Sequence, residues 1–458
     1  MSNQTTTATA YLETHHERFL DELMSLVEIP SISTQPQRVA DVRRVATWLE
    51  DRLVNLGLEA KLLEHPNGNH PLVYAHHHTK DSAPTVLLYG HYDVQPAVVE
   101  DGWDTDPFKP IIKGDKLYGR GTADSKVNVM SQLAALEALI RTDSLDVNVI
   151  VAFEGEEESG GATIAGLLED EPENFAADIA VICDGSVIDS KYPSLPVGLR
   201  GIVTMELEIE GPIRDVHSGQ FGGTLHNPLQ ALCELIATFH DDTGKVTIDG
   251  FYDDVRTLSD EERTRLAVAN AQLEETWQQV AAAPAYWGEA GFNVHERSGV
   301  RPTLEINGIR GGYAEEGFKT VIPSRALAKV SCRLVADQNP EDIFTKVSEH
   351  VRNHTPKTVK SELRRLDAGS PAVLLATDAP AVTAMKDALE ANWKNKVVFE
   401  LVGGSVPIAS LMKPHAKDMV FVGFAHRGAQ VHGPNEHIFV ENYYKGMQAM
   451  LHFLQACA

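Results

Sequence analysis

The chain has 458 residues, which is more than one hydrophobic core usually serves, so its length predicts two domains. Its 65 Asp and Glu residues outnumber its 40 Lys and Arg residues, and the formal net charge is −25. Because such a charge repels phosphate backbones and anionic lipid, we expect neither nucleic acid nor a membrane surface as a partner.

The first 200 residues alternate between predicted helices and short apolar strands. Apolar residues at helical spacing predict helices over about 11–27 and 39–53, and a third helix that begins near Asp124. Three apolar runs predict buried strands: TVLLY at 85–89, VNVIVAF at 147–153 and IAVI at 179–182. This alternation favours a mostly parallel α/β sheet.

The pattern changes near residue 200. Gly201–Glu210 and Ala326–Leu334 alternate apolar and polar residues, as half-exposed antiparallel strands do. Helices are predicted after Pro228 and after Pro340, with an acidic helix over about 258–280. These elements together predict an α+β domain.

The α/β pattern returns after residue 370. A helix is predicted over about 379–393, followed by strands at 397–401 and 419–422 and a last helix from Glu441. We therefore predict an α/β domain with an inserted α+β domain. The expected boundaries are 1–199 and 371–458 for the two parts of the α/β domain and 200–370 for the insert.

The cysteines and the first residues bear on the location of the protein. The four cysteines are scattered and form no CxxC pair, which is typical of reduced thiols rather than of a disulfide framework. The N-terminal residues lack the basic and apolar segments of a secretory signal, and no apolar run is long enough to span a membrane. We expect a cytoplasmic protein.

Acidic residues and histidines follow several of the predicted strands. Ligands of open α/β sheets bind beyond the carboxyl ends of the strands, so these side chains are expected at one edge of the sheet. The residues concerned are His91 and Asp93 after TVLLYG, Asp124 after GRGTA, the run from Glu154 to Glu158 after VNVIVAF, Asp184 after IAVIC, and His432 to Glu436 (HGPNE) after FVGF.

Two histidines with several carboxylates suit Zn²⁺, or Mn²⁺ where oxygen ligands dominate. Asp93 can accept a hydrogen bond from one ring nitrogen of His91 while the other binds a metal ion. Asp124 can bridge two ions about 3.5–4 Å apart. A Glu beside a ligand Glu can act as a general base, and the run Glu156–Glu158 offers such a pair in more than one register.

Six strings resemble one family of co-catalytic metallopeptidases, in the same order and over nearly the whole chain. They are YGHYDVQPA, GRGTADSKV, FEGEEESGG, CDG, RDVHSGQFGG and HGPNE. The family includes carboxypeptidase G, aminoacylase, succinyl-diaminopimelate desuccinylase and the cytosolic dipeptidases. Within it, VQPA and FKTVIPSRALAKVSCRL are most similar to the carnosinase-like, cytosolic nonspecific dipeptidases.

The resemblance implies a role for each matching residue of the α/β domain. It implies that His91, Asp124 and Asp184 hold one metal ion, and that Asp124, Glu158 and His432 hold the other. It also implies that Glu157 is the general base, that Asp93 orients His91, and that the peptide bond after Asp124 is cis. Where relatives often have Asp-Asp-Lys-Gly, this chain has Asp124-Ser125-Lys126-Val127.

For the insert, the resemblance implies a lid that also forms a homodimer. His217 is expected to reach the site of the partner subunit and to polarise the scissile carbonyl. Arg333 and Thr320 match residues that bind the substrate carboxylate, a task for which a guanidinium is well suited. Ser405, in GGSVP, matches a loop residue that faces the substrate.

These residues predict metal-dependent hydrolysis of dipeptides or small peptides that end in a free carboxylate. The first alternative is deacylation or desuccinylation of N-acyl amino acids at the same site. The second is an inactive metal-binding interaction protein, which the full set of ligands and the retained base disfavour.

Overall fold

The computed structural model describes residues 3–264, 274, 278, 281 and 283–458. The predicted acidic helix over 258–280 lies mostly outside these residues. The described α-helices are α1 (Asn3–Thr14), α2 (His16–Val27), α3 (Val39–Leu56), α4 (Val127–Arg141), α5 (Ala162–Asp170), α6 (Ser218–Phe221), α7 (Pro228–Ile236), α8 (Val294–Gly299), α9 (Pro340–His354), α10 (Pro380–Trp393), α11 (Pro407–Met412) and α12 (Val440–Ala456).

The described strands run from β1 to β20 in chain order. They are β1 (Glu59–Leu63), β2 (Leu72–His77), β3 (Thr85–His91), β4 (Ile111–Lys113), β5 (Lys116–Tyr118), β6 (Asn148–Glu154), β7 (Ala177–Cys183), β8 (Ser186–Val187), β9 (Ser194–Leu199), β10 (Gly201–Glu210), β11 (Val216–His217), β12 (Thr303–Gly311), β13 (Val321–Ile322), β14 (Arg325–Leu334), β15 (Lys360–Arg365), β16 (Val373–Leu374), β17 (Val398–Val402), β18 (Ala416–Val422), β19 (Ala425–His426) and β20 (His437–Phe439).

The chain divides into two compact units. Unit 1 contains residues 1–197, 375–400 and 411–458, and unit 2 contains residues 198–374 and 401–410. Residues 401–410, expected in the second part of the α/β domain, therefore belong to unit 2. The helix expected over 11–27 is two helices, because the backbone of His15 leaves the helical conformation between them.

Unit 1 is built on a six-stranded sheet with the order β1-β2-β6-β3-β7-β18. The pairs of β3 with β6, β3 with β7 and β7 with β18 are parallel, whereas β1 and β2 pair antiparallel at one side. The prediction of a mostly parallel α/β sheet is confirmed. Since the four parallel strands run in the same direction, their carboxyl ends meet at one edge of the sheet.

The core of unit 1 lies between this sheet and its helices. Val127 to Leu139 of α4 are all buried, and α4 packs against β3 and α12. Nine of these thirteen residues are apolar, and the four buried polar ones are Asn128, Ser131, Gln132 and Glu137. A helix with apolar residues on most of its sides is expected where the protein covers it completely. Val127, which stands where relatives often have glycine, is fully buried as the first residue of α4.

Unit 2 contains an antiparallel sheet with the order β12-β14-β10-β15. Along the first part of β10, Val203, Met205 and Leu207 are buried and alternate with partly exposed residues. They pack in one apolar cluster with residues of α7 and α9. The expected α+β character of the insert is confirmed by these elements. Among the described helices of both units, none has the length and apolar character needed to cross a membrane.

Candidate active site

Five side chains of unit 1 form two ligand groups that share one carboxylate. In the first ligand group, His91 Nε2 lies 3.0 Å from Asp124 Oδ1 and 3.3 Å from Asp184 Oδ1. In the second ligand group, His432 Nε2 lies 2.9 Å from Asp124 Oδ2 and 3.4 Å from Glu158 Oε2. Each group has the residue types and the spacing to hold a metal ion. Asp124 contributes one oxygen to each group, as a bridging ligand does.

The sheet explains how residues so distant in sequence meet. His91 is the last residue of β3, Asp184 follows β7, and Glu158 lies in a single turn after β6. These three strands are parallel, so their ends lie side by side at the same edge. Asp124 precedes α4, and His432 lies in the turn between β19 and β20.

Burial and hydrogen bonding show whether a cation fits this site. His91 is fully buried, and Glu158 Oε1 is buried without a hydrogen-bond donor from the described residues. A buried carboxylate oxygen normally has a partner, and a divalent cation would provide one. Three carboxylates around two imidazoles also supply the negative charge and mixed nitrogen and oxygen donors that such an ion requires.

The carboxylates also change the proton affinities of both imidazoles. Hydrogen bonds to Asp124 and then Glu158 raise the pKa of His432 to about 10. Burial opposes protonation of His91, but the charge of Asp184 and the hydrogen bonds to the carboxylates raise its pKa well above the usual value. The site therefore favours positive charge at both histidines, and a metal ion would compete with protons there.

Glu157 lies next to the ligand groups but belongs to neither. Burial, followed by the negative charge of Asp184, raises the pKa of Glu157 to about 9. A nearby cation would lower that pKa. A buried carboxyl whose proton affinity depends on neighbouring charge is suited to accept a proton and to return it.

Asp93 connects His91 with the turn that carries Glu157 and Glu158. Its Oδ1 lies 3.3 Å from Nδ1 of His91 and accepts the N–H of Glu157 at 3.2 Å. Its Oδ2 accepts the N–H of Glu158 at 3.1 Å and the hydroxyl of Ser33 at 2.6 Å. Asp93 therefore fixes the orientation of the His91 ring and the position of the turn together.

The structure distinguishes the three consecutive glutamates. The carboxylate of Glu156 accepts backbone N–H groups from Asn69 at 2.5 Å, His70 at 3.0 Å and Thr163 at 2.8 Å. It therefore serves the packing of neighbouring loops, and its oxygens belong to neither ligand group. Glu158 belongs to the second ligand group. Glu157, between Glu156 and Glu158 in the sequence, has neither of these two tasks.

Four substrate-facing residues predicted from the resemblance all lie in unit 2, in two pairs, although the predicted boundaries put Ser405 in the second part of the α/β domain. Arg333, on β14, donates from Nη1 to the hydroxyl of Ser405 at 2.7 Å. His217 ends β11, which pairs with β13, and Thr320 directly precedes β13. The side chain of His217 is exposed, and its Nδ1 accepts the N–H of Gly219 at 2.9 Å.

Comparison with known proteins places the chain in a family. Its residues 87–456 match Peptidase family M20/M25/M40. The chain belongs to this family. It is 30% identical to the Cys-Gly metallodipeptidase DUG1 of Saccharomyces cerevisiae, over 99% of this chain and 98% of that protein. The resemblance drawn from the sequence is thus confirmed, and membership of this metallopeptidase family implies divalent metal ions.

Two solved structures resemble this M20 peptidase closely. Human carnosine dipeptidase 1 has a TM-score of 0.85 and 28% identity, covering 100% of this chain and 99% of that chain. The M20 family metallo-carboxypeptidase Sso-CP2 of Sulfolobus solfataricus has a TM-score of 0.84 and 29% identity, covering 96% and 99%.

Gln95 and Glu436 of this M20 peptidase were given no role of their own in the sequence analysis, although both contact the site. Gln95 donates to Glu158 Oε2 at 2.6 Å, and its signal was the VQPA string. Glu436, in HGPNE, accepts the backbone N–H of Asp124 at 3.0 Å. The expected cis peptide bond between Asp124 and Ser125 is present.

Arg200 gave no signal in the sequence. Its side chain donates from Nε to the carbonyl of Gly403 at 2.9 Å, and its backbone N–H donates to the carbonyl of Gly404 at 3.1 Å. It therefore holds the loop that carries Ser405. Burial, followed by the charge of Arg333, lowers the pKa of Arg200 to about 10.

Proposed function

We propose that this M20 peptidase hydrolyses the peptide bond of dipeptides, or of small peptides, that end in a free carboxylate. The observation that carries the proposal is the position of Asp124, with one carboxylate oxygen in each ligand group. That arrangement is what a pair of co-catalytic metal ions requires. The whole-length relatives named as a Cys-Gly metallodipeptidase and a carnosine dipeptidase support a dipeptide as the substrate.

We propose two divalent ions for each subunit, Zn²⁺ or Mn²⁺. His91, Asp124 and Asp184 would hold one, and Asp124, Glu158 and His432 the other. When bound, such ions acidify water and polarise a carbonyl oxygen. Asp93 and Gln95 would keep the ligands His91 and Glu158 in position, since each contacts its ligand by a hydrogen bond or close polar contact.

Glu157 is the proposed general base. It would accept a proton from the attacking water and then deliver that proton to the leaving amine, so that the amide bond breaks without a net change at the enzyme. Its position beside both ligand groups and its raised proton affinity support this role. The adjacent Glu156 is not suited to it, because three backbone N–H groups already bind its carboxylate.

In this proposal, unit 1 is the catalytic domain and unit 2 is the lid and dimerisation domain. Arg333, Thr320 and Ser405 would bind the carboxylate of the substrate, and the hydrogen bond between Arg333 and Ser405 supports a shared task. In a homodimer, His217 would polarise the scissile carbonyl in the site of the partner subunit. Ile213 and Phe318 of unit 2 are 101% and 90% exposed, as apolar residues of an interface are in an isolated subunit.

We also propose a cytoplasmic location. All four cysteines are free in the structure, and Cys183 and Cys332 are fully buried. Unpaired thiols of this kind are typical of a reducing compartment.

The substrate class is tested by a panel offered to the metal-loaded protein. The panel contains dipeptides with a free carboxylate, the same dipeptides as C-terminal amides, and N-acetyl and N-succinyl amino acids. We expect cleavage of the free dipeptides and little cleavage of their amides. Preferred turnover of the N-acyl amino acids would establish a deacylase or desuccinylase. No cleavage of any compound by protein with bound metal would indicate a binding protein.

A further inference from the structure

Glu436 is a fully buried carboxylate that receives four hydrogen bonds. Its Oε2 accepts from the guanidinium of Arg120 at 2.6 Å and from the N–H of Gly121 at 3.0 Å. Its Oε1 accepts from the N–H groups of Ala123 at 2.7 Å and Asp124 at 3.0 Å. A buried charge with this many partners is destabilising when one of them is lost, so Glu436 fixes the backbone that presents Asp124.

Arg120 and Glu436 also fix the loop that carries His432. Nη2 of Arg120 donates to the carbonyl of Gly433 at 3.2 Å, and the N–H of Gly119 donates to the carbonyl of Glu436 at 3.0 Å. The side chain of His432 is 55% exposed, so packing restricts it little. The position of its imidazole therefore depends on how this loop is attached.

We propose that Glu436 and Arg120, which we call the clamp, set the affinity of the second ligand group for its metal ion. The inference rests on the proposed dinuclear function. Both side chains are almost completely buried and belong to neither ligand group, so we treat them as positioning residues. They act by holding the loop of His432 against the loop of Asp124.

The clamp affects the two ligand groups unequally. In the second group, both His432 and Asp124 lie on clamped loops, and Glu158 alone does not. In the first group, His91 and Asp184 stand at the ends of buried parallel strands, and Asp124 alone depends on the clamp. Loosening the clamp therefore weakens the second group more than the first.

The test measures Co²⁺ binding to chelator-stripped protein by titration calorimetry and by the visible absorption of the bound ion. Glu436→Gln keeps the size of the side chain but turns an amide nitrogen towards donors that need an acceptor. We expect two binding steps in the wild type, and in the variant a 10- to 100-fold loss of affinity at one step with little change at the other.

Glu441→Gln is the matched control, because Glu441 lies in the first turn of α12, is largely exposed and pairs with Lys445 at 2.7 Å. It should bind both ions as the wild type does. Thermal unfolding of the stripped proteins reports whether each variant folds. If Glu436→Gln does not fold, Arg120→Lys is tested in its place, with the same expected loss of Co²⁺ affinity at one step only. Lysine cannot hold both Glu436 and Gly433 as the guanidinium does.

Two results would overturn the clamp: unchanged affinity at both steps, or an equal loss at both. A wild type that binds fewer than two ions would overturn the dinuclear proposal as well. The two failures are distinguishable, since one is seen in the variant and the other already in the wild type.

Discussion

Replacement of Glu157 by glutamine separates proton transfer from metal binding. The change keeps the volume of the side chain and the backbone N–H that donates to Asp93. Glu157 lies in neither ligand group, so both groups should keep their ions. The loss is then confined to the proton transfers of the general base.

The usual contribution of one positioned acid–base group sets the expected size of that loss. Burial and the charge of Asp184 raise the pKa of the Glu157 carboxyl to about 9, so this carboxyl has a high affinity for the proton that a general base must accept. General acid–base catalysis by one positioned group typically contributes about 10²–10⁴-fold, or about 3–5 kcal/mol of activation free energy. We expect kcat for a free-carboxylate dipeptide to fall by that factor in Glu157→Gln.

Glu156→Gln is the matched control for this prediction. Its carboxylate holds the N–H groups of Asn69, His70 and Thr163, so the change should lower the free energy of unfolding by about 1–3 kcal/mol. The kcat of its metal-loaded form should stay within a few-fold of the wild type. The assay compares initial rates at saturating substrate, with bound metal measured in the same samples. A Glu157→Gln variant that keeps its metal and more than about a tenth of the wild-type kcat would refute the reasoning.

Three further predictions concern the lid, the dimer and acid stability. Arg333→Met should raise KM for free-carboxylate dipeptides by about 10- to 100-fold, with little effect on KM for the C-terminal amides. Arg325→Met, on an exposed part of the same strand, should leave both KM values unchanged. Equal effects of Arg333→Met on both kinds of substrate would count against carboxylate binding. Mixing inactive His217→Ala and Glu157→Gln subunits should restore up to about a quarter of wild-type activity. Half of the dimers are then mixed, and each mixed dimer has one complete site out of two. No recovery in verified mixed dimers would contradict a role of His217 across the interface. Burial, followed by the charge of His437, lowers the pKa of His426 to about 3, so the unfolded chain binds a proton there below about pH 6.5 and the folded protein does not. The free energy of unfolding therefore decreases as pH falls. His426→Leu should remove about 2 kcal/mol of the decrease between pH 7 and 5, as measured by urea unfolding. The same decrease in the variant as in the wild type would contradict this role of His426.

The strand-end residues show how much of the site the sequence could predict. His91 and Asp184 follow apolar runs that are recognisable as buried strands, and parallel strands bring their carboxyl ends together. Their proximity to each other therefore follows from local patterns and one rule of sheet topology. The roles of Glu156, Glu157 and Glu158 do not follow from the same local patterns, because a shift of one residue in the turn after β6 changes which carboxylate faces which loop.

Contacts between distant segments could not be predicted in the same way. Glu436 meets the loop of Asp124 across more than 300 residues of sequence, and a glutamate after a turn carries no sign of such a partner. The assignment of residues 401–410 to unit 2 has the same cause. The local pattern predicts a strand at 397–401, and β17 (Val398–Val402) is there, but the pattern does not say with which neighbours that strand packs.

The central claim, a hydrolase with two metal ions, is tested most directly by restoring activity to the chelator-stripped protein. Zn²⁺ or Mn²⁺ is added stepwise while the ions bound to each chain and the hydrolysis of a free-carboxylate dipeptide are measured together. The account predicts that cleavage is absent without metal and reaches its maximum when two ions are bound. Full activity in the stripped protein, or no cleavage of any dipeptide with two ions bound, would contradict it.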